Sequence, residues 1–254
     1  MKIASWNVNS IRQRTPHVLR WLDKNAPDIL CLQELKGVEF PKDAFQAAGY
    51  HSVYASEKAY NGVAILSRTP VALVLDRLPG DNADLQARYL EVEGDGIRIL
   101  NIYLPNGNPA PGEKFDYKLR WMDRLYARAK TLRDSGIPFL IAGDFNVIPH
   151  ARDCYNPSAW ADDALFRVES RGAFRALLHL GLTDAFRVHE TGAGHYTFWD
   201  YQAGCWPADK GIRIDHILLS PTLTDRMDRC VIDPGPRGEE QPSDHTPIWV
   251  EIGA

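Results

Sequence analysis

Apolar residues fall in short runs along the whole chain, and each run is closed by polar or turn-forming residues. KIASWNV, PDILCLQE, YHSVYAS, GVAILSR, VALVLD, RYLEV, IRILNIYLP, PFLIAGDFNV, YTFWDY, IRIDHILLS, DRCVID and PIWVEI all have the length and residue content of strands. GDG at Gly94 to Gly96 predicts a hairpin between two of them. Helical spacing is rarer. Thr15-Pro16 reads as an N-cap with proline at the first helical position, opening a helix over His17 to Lys24. From Lys114 to Arg133, Phe115, Leu119, Met122, Leu125, Tyr126 and Ala129 share one face, and Gly136 and Pro138 stop the helix. A third helix is predicted from Arg171 to Leu180, ending at Gly181.

Strands with intercalated helices and no compositional boundary predict one α/β domain, 1–254, on two sheets. Their inner faces would form the core, with helices on the outer faces. A division at the Asn106–Gly112 loop is conceivable, but nothing in the composition marks it.

The chain has 254 residues, 44% hydrophobic and 24% charged, which excludes disordered, collagen-like and coiled-coil classes. No apolar run reaches the length of a membrane span, and MKIASWNVNSIR lacks the apolar stretch of a secretory leader. The expectation is a cytoplasmic protein with no membrane partner, and nothing requires more than a monomer. The four cysteines, Cys31, Cys154, Cys205 and Cys230, form no CxxC pair and read as reduced structural thiols. With 29 basic and 33 acidic residues the net charge is −4, which argues against gripping nucleic acid by bulk charge. A local basic face or an acidic, cation-binding pocket remains compatible with that balance.

The informative residues are carboxylates and amides at the ends of apolar runs, where burial is costly unless they are paired or coordinated. Asn7 follows KIASW, Gln33 and Glu34 end PDILCL, Tyr103 and Asn106 end ILNIYLPN, and Asp144 and Asn146 end PFLIAG. Asp215 interrupts IRIDHILL, and Asp244-His245 precede PIWVEI. Any one of these alone is more readily a turn former, except Asp215, which sits inside an apolar run and needs a partner. Together they supply a chemistry. Glu34, with Asn7 and Asp244, offers hard oxygen ligands suited to Mg²⁺ or Mn²⁺. An Asp215–His245 pair would orient an imidazole, Asp144 would be a general acid or base, and Asn146 a donor to a transition-state oxygen. The set suits phosphoester hydrolysis, and no Gly-rich triphosphate loop is present.

The chain resembles the exonuclease III family of apurinic/apyrimidinic endonucleases, within the endonuclease/exonuclease/phosphatase superfamily. The segments that carry the resemblance are SWNVNSIR, PDILCLQELK, YNGVAILSR, NIYLPNG, IAGDFNV, LTDAFR, YTFWDY, GIRIDHILLS and SDHTPIWV, in order from the first strand to the last. The resemblance implies a four-layer αββα sandwich of two packed mixed β-sheets flanked by helices. It implies a Mg²⁺-dependent DNA repair nuclease, with Mn²⁺ as a substitute, that cleaves 5′ to abasic sites in duplex DNA and trims blocked 3′ ends. Asn7, Glu34, Asp144, Asn146 and Asp244 would form the metal site, with Glu34 the direct ligand. Tyr103 and Asn106 would contact the scissile phosphate, Asp144 would handle protons, and Asn146 would hold a phosphate oxygen. Asp215 would orient His245 toward the phosphate. Phe198, Trp199, Ile212 and Arg213 would line the substrate pocket, with Trp206 as a further aromatic. Two positions depart from relatives: Asn9 stands where some carry an acid, and Ile212 where some carry tryptophan.

Arg120, Arg124 and Arg128 form a stripe on the longest helix that reads as a solvated polar face. Better candidates for phosphate contacts are Arg12, Arg14, Lys36, Lys58, Lys114, Lys210 and Arg213, with Arg152 and Arg171 also in reach. The competing functions are another phosphodiesterase or phosphatase of the superfamily, acting on RNA, lipid or inositol phosphate, and an inactive module that binds damaged DNA.

Overall fold

The computed structural model describes residues 1–253. Its first half runs β1 (Lys2–Asn7), α1 (Ile11–Asn25), β2 (Ile29–Gln33), α2 (Lys42–Ala47), β3 (His51–Ala55), β4 (Val63–Ser67), β5 (Ala72–Leu75), β6 (Tyr89–Gly94) and β7 (Ile97–Tyr103). The second runs α3 (Glu113–Ser135), β8 (Phe139–Asp144), α4 (Val168–His179), β9 (Thr183–Asp184), α5 (Ala185–His189), β10 (Asp215–Leu219), α6 (Pro221–Thr224), β11 (Met227–Ile232) and β12 (Ile248–Ile252). One sheet has the order β11-β12-β1-β2-β4-β3 and the other β5-β6-β7-β8-β10-β9.

Three apolar layers hold these sheets. Ile3, Cys31 and Ile65 of the first sheet meet Leu90, Ile99, Leu140 and Ile217 of the second between the sheets. Trp21 and Leu22 of α1 and Phe45 of α2 cover the outer face of the first sheet with Trp6 and Leu32. Met122, Leu125 and Ala129 of α3 and Phe174 and Leu177 of α4 cover the second. The result is the αββα sandwich expected from the sequence. The four cysteines are free thiols, three of them buried.

Several local readings are corrected. α1 begins at Ile11, and Pro16 lies inside it instead of at its start. The helix starts where Ser10 and Ile11 donate their N–H groups to the carbonyls of Glu34 and Leu35 (2.8 and 3.1 Å). Burial of Ile11, Val18, Trp21 and Leu22 at about 1.5–3 kcal/mol each outweighs the roughly 3 kcal/mol cost of an interior proline. YTFWDY is no strand: Phe198 makes single bridges to Ile212 and His245, so the segment is wedged between two chains without a ladder. Asp215 starts β10 instead of interrupting it. The third helix begins at Val168, one turn early, while α2, α5 and the two-residue β9 are too short for periodicity to reveal. The arginine stripe divides: Arg124 pairs with Asp84 at 2.7 Å and Arg128 with Glu91 at 2.6 Å, while Arg120 is exposed as a solvated face would be.

Candidate active site

Two parallel βαβ units place the polar strand ends together. β1 and β2 run parallel with Asn7 level with Gln33, and β7 and β8 run parallel with Tyr103 level with Asp144. Each pair therefore finishes at the same edge of its sheet, as the α1 and α3 crossovers require. β10 lies antiparallel beside β8 and sets Asp215 directly opposite Asp144. His245 arrives from the turn before β12, fixed by Trp6 Nε1–H donating to its carbonyl (3.2 Å) and by its own N–H donating to Ser243 Oγ (3.2 Å).

Close approach in the backbone is part of this construction. Gly143, beside Asp144, has φ of +150°, and a Cβ there would lie 2.0 Å from the Ile102 carbonyl oxygen. Only glycine lets β7 and β8 pair at this point.

The Asn7 amide nitrogen joins the two sheets, donating to Glu34 Oε1 (2.9 Å) and Asp144 Oδ2 (3.0 Å). His245 Nδ1–H donates to Asp215 Oδ2 (2.8 Å), which turns Nε2 toward Asp144 Oδ2 at 3.9 Å. Asn146 donates its backbone N–H to Asp144 Oδ1 (2.9 Å) and its side-chain amide to the Leu104 carbonyl (2.9 Å). Asn106 in turn donates to Asn146 Oδ1 (3.2 Å). Thr197 Oγ1 accepts the N–H groups of Ile214 and Asp215 (both 3.1 Å), so the YTFWDY segment braces the start of β10.

Burial and the negative charges of Asp215 and Glu34 push the Asp144 carboxyl up to about 7, against the pull of His245. Burial would lower His245, but the carboxylates of Asp215, Asp144 and Asp244 raise it to about 10, so the imidazole is held protonated. Burial would raise Glu34, yet Lys36, at 2.7 Å, and the Asn7 amide bring it below its usual value. Tyr103 is held well above the ordinary tyrosine value by burial and by Glu34 and Asp144, and stays a phenol.

Glu34, Asp144 and His245 are the one group of acidic or imidazole side chains, among the described residues, whose donor atoms lie within 4.8 Å of one another. The two carboxylates, with no thiolate beside them, fit a small hard dication, while protonated His245 offers it no lone pair and is left to face an anionic group. Asn7 sits inside this cluster, although its Oδ1 accepts the N–H of Asn9 (3.0 Å). Asp244 lies outside the group and accepts from the Asn9 amide (2.9 Å).

The expected substrate residues divide. Phe198 sets its ring edge-on to His245, centroids 5.0 Å apart, and with Ile212, Tyr155, Trp160 and Lys210 lines a cavity of about 230 Å³. Trp199 is instead a core residue, donating to Asp209 (3.0 Å) and packed edge-on against Trp206. Arg213, expected at the substrate, is fully buried and paired with Asp153 (2.7 Å) and Asp184 (2.8 Å). Arg14 is likewise buried, bonded to the carbonyls of Asn9 and Pro242. Arg12, Lys58, Lys114, Lys210 and Arg152 are exposed, while Lys36 is paired with Glu34. Two residues were missed in the sequence, Asn101 and Lys118, while Gln33 was singled out without its partner. Gln33 and Asn101 bond across the sheets at 2.7 Å, and Lys118 is fully buried beneath the site. A lysine inside the apolar stripe of α3 was the available signal.

The Arg213 network carries a testable pH dependence. Burial would raise Asp153, but Arg213 and Arg187 bring its carboxyl from 3.8 down to about 2. A depressed carboxyl stabilises the fold above its unfolded-state value, and that contribution is lost as pH falls toward 2. Melting temperature should therefore drop between about pH 4 and about pH 2. Asp153→Asn should start lower at neutral pH and drop less, and identical acid limbs would refute the assignment.

A family model described as endonuclease/exonuclease/phosphatase matches residues 4–245. Exodeoxyribonuclease III of Haemophilus influenzae is 32% identical over 99% of this chain and 100% of its own length. A solved Neisseria structure, described as the 3′ phosphatase NExo bound to a product DNA hairpin, is 39% identical with a TM-score of 0.94, covering 100% of both chains. An AP endonuclease from Archaeoglobus fulgidus is 36% identical with a TM-score of 0.93, again over 100% of both chains. With the sheet order, the split acid–imidazole cluster and these full-length matches in agreement, the chain belongs to the endonuclease/exonuclease/phosphatase family.

Proposed function

We propose that this protein is a metal-dependent DNA repair nuclease that hydrolyses the phosphodiester 5′ to abasic sites in duplex DNA and also trims 3′ ends. The observation that carries this reading is the buried Asp144–His245–Asp215 arrangement beside Glu34, bordered by amide donors and opening next to the Phe198 cavity. Relatives named for exonuclease, 3′ phosphatase and AP endonuclease activity favour DNA over lipid or inositol phosphates.

In this reading Glu34 and Asp144, bridged by the Asn7 amide N–H donors, would hold Mg²⁺ or Mn²⁺, which would supply charge stabilisation at a phosphoryl oxygen. Protonated His245, fixed by Asp215, donates to a non-bridging oxygen of the phosphate. Asn146 and Asn106 donate amide hydrogens to the same group, with Tyr103 as the phenolic donor. Asp144 takes the proton of the attacking water, or returns one to the leaving 3′-oxygen, a role suited to a carboxyl held near 7. Water attacks phosphorus, the bond to the 3′-oxygen breaks, and a 3′-hydroxyl and a 5′-phosphate result. Phe198 and Ile212 present an apolar wall to a deoxyribose without its base. Such a nucleotide is already unstacked and costs less to extrude than a paired one. Exposed Arg12, Lys58, Lys114 and Lys210 are the phosphate contacts, and binding should weaken steeply with salt.

The test is a duplex with one synthetic abasic site, an intact duplex and a duplex ending in a 3′-phosphate, each with Mg²⁺ or with EDTA. Incision at the abasic strand, abolished by EDTA, is the expected result. Shortening of every duplex from its 3′ ends would move the main activity to exonuclease. Removal of the 3′-phosphate alone would make the protein an end-cleaning phosphatase, and no reaction on DNA would overturn the proposal.

A further inference from the structure

α3 contains a residue that its packing alone does not explain. The buried face of the helix is Phe115, Lys118, Trp121, Met122, Leu125, Ala129 and Leu132. Lys118 stands in it with an amino group that has no solvent exposure, and burial brings its pKa from 10.5 down to about 7. Burying a cation there is costly, and a leucine or methionine would fill the same volume without that cost. No ion pair offsets it among the described residues. Its hydrogen bonds go instead to two main-chain carbonyls, those of Asn106 (3.0 Å) and Asn146 (2.5 Å).

Those two carbonyls belong to the residues whose side-chain amides border the acid cluster. Asn106 lies on the loop after β7 and Asn146 on the loop after β8, so Lys118 ties two loops from neighbouring strands to one point. Asn146 needs such a hold because its backbone sits at φ 47°, the left-handed region that asparagine tolerates at some cost. The loop after β7 is shaped to let the lysine stem pass. Gly107 has φ of +91°, and a Cβ there would lie 2.7 Å from Lys118 Cδ. Above the tether the Asn106 side chain is exposed while bonding to Asn146 Oδ1 at 3.2 Å.

We propose that Lys118 is the positioning residue for the phosphate-binding amides: by holding the carbonyls of Asn106 and Asn146 it aims both side chains at one substrate phosphate. The inference rests on the reading above that these amides bind phosphate. Lys118 itself touches no reacting atom. Its effect is on orientation, and small misplacement of an oriented donor is enough to cost about 100-fold in rate.

The experiment is a double-mutant cycle on the full chain, combining Lys118→Met with Asn146→Ala. Single-turnover cleavage of an abasic duplex and equilibrium binding of that duplex are measured at fixed Mg²⁺. Lys118→Met should slow cleavage about 100-fold while changing the duplex Kd by less than about threefold. On the Asn146→Ala background the same substitution should cost less than about threefold more, because the donor that it would misplace is gone. A purely structural role would give equal losses on both backgrounds, and that result, or a wild-type rate in Lys118→Met, would overturn the proposal. Lys118→Gln keeps a polar group but is too short to hold both carbonyls, and carries the same cycle if Lys118→Met fails to fold. Should Asn146→Ala alone cleave at the wild-type rate, the phosphate-binding role of that amide is what falls.

Discussion

Asp144→Asn should lower turnover about 1,000-fold or more while leaving affinity for duplex DNA nearly unchanged. The substitution is isosteric and retains an acceptor for the Asn146 N–H, which now meets Asp144 Oδ1 at 2.9 Å. What it removes is a group able to take or return a proton beside protonated His245. It also removes one negative charge from a pocket shared with Asp215 and Glu34, so anion binding has no reason to weaken. General acid–base contributions of about 10²–10⁴-fold set the scale, and in the proposed reading the loss of a metal-binding oxygen would add to it. Single-turnover cleavage read beside a gel-shift affinity separates the two effects. Wild-type turnover would take Asp144 out of the mechanism, and loss of duplex binding would make it a folding residue.

The largest expected loss of stability follows Arg213→Met. The guanidinium is fully buried and bonds to Asp153 through Nε, to Asp184 through Nη1 and Nη2, and to His216 Nδ1 through Nη1. Removing it leaves two carboxylates in the interior without their principal partner, a change that costs about 3–5 kcal/mol in buried ion networks. For a chain of this size that is a fall of roughly 10 °C in melting temperature. Chemical denaturation should report it as a shift in midpoint with little change in slope. The same variant discriminates between two roles for this arginine. A phosphate contact would make its loss reduce the salt dependence of DNA binding by about one unit, and a buried structural residue would leave that slope unchanged. The unchanged slope is expected, together with the stability loss.

Arg213 also illustrates what a sequence can and cannot convey. Its neighbours in GIRIDHILLS suggest a residue beside the substrate, whereas its partners lie 60 and 29 residues away and are carboxylates that look like ordinary turn formers. Charge is written locally; compensation of charge is not. The acid cluster was legible because Asn7, Glu34, Asp144 and His245 each close or precede an apolar run, and parallel strands joined by a helix must finish at the same edge. The αββα layering followed from the same alternation of strands and amphipathic helices. Pro16 was misread because packing of α1 against the first sheet overrides a local start signal. YTFWDY has strand composition, but the chains on its two sides leave room only for single bridges. Lys118 could have been recognised as an exception to helical periodicity, whereas the two carbonyls that it holds belong to loops with no sequence signature of proximity.

The bond between Gln33 and Asn101 crosses from one sheet to the other immediately below the cluster, and Asn101 also donates to the carbonyls of Leu32 and Ala64 on the opposite sheet. Asn7 and Glu34 come from the first sheet, and Asp144 and Asp215 from the second, so neither sheet alone carries a working centre. The centre is thus an AND gate on assembly: a fragment that retains the first sheet lacks Asp144 and Asp215, and one that retains the second lacks Asn7 and Glu34.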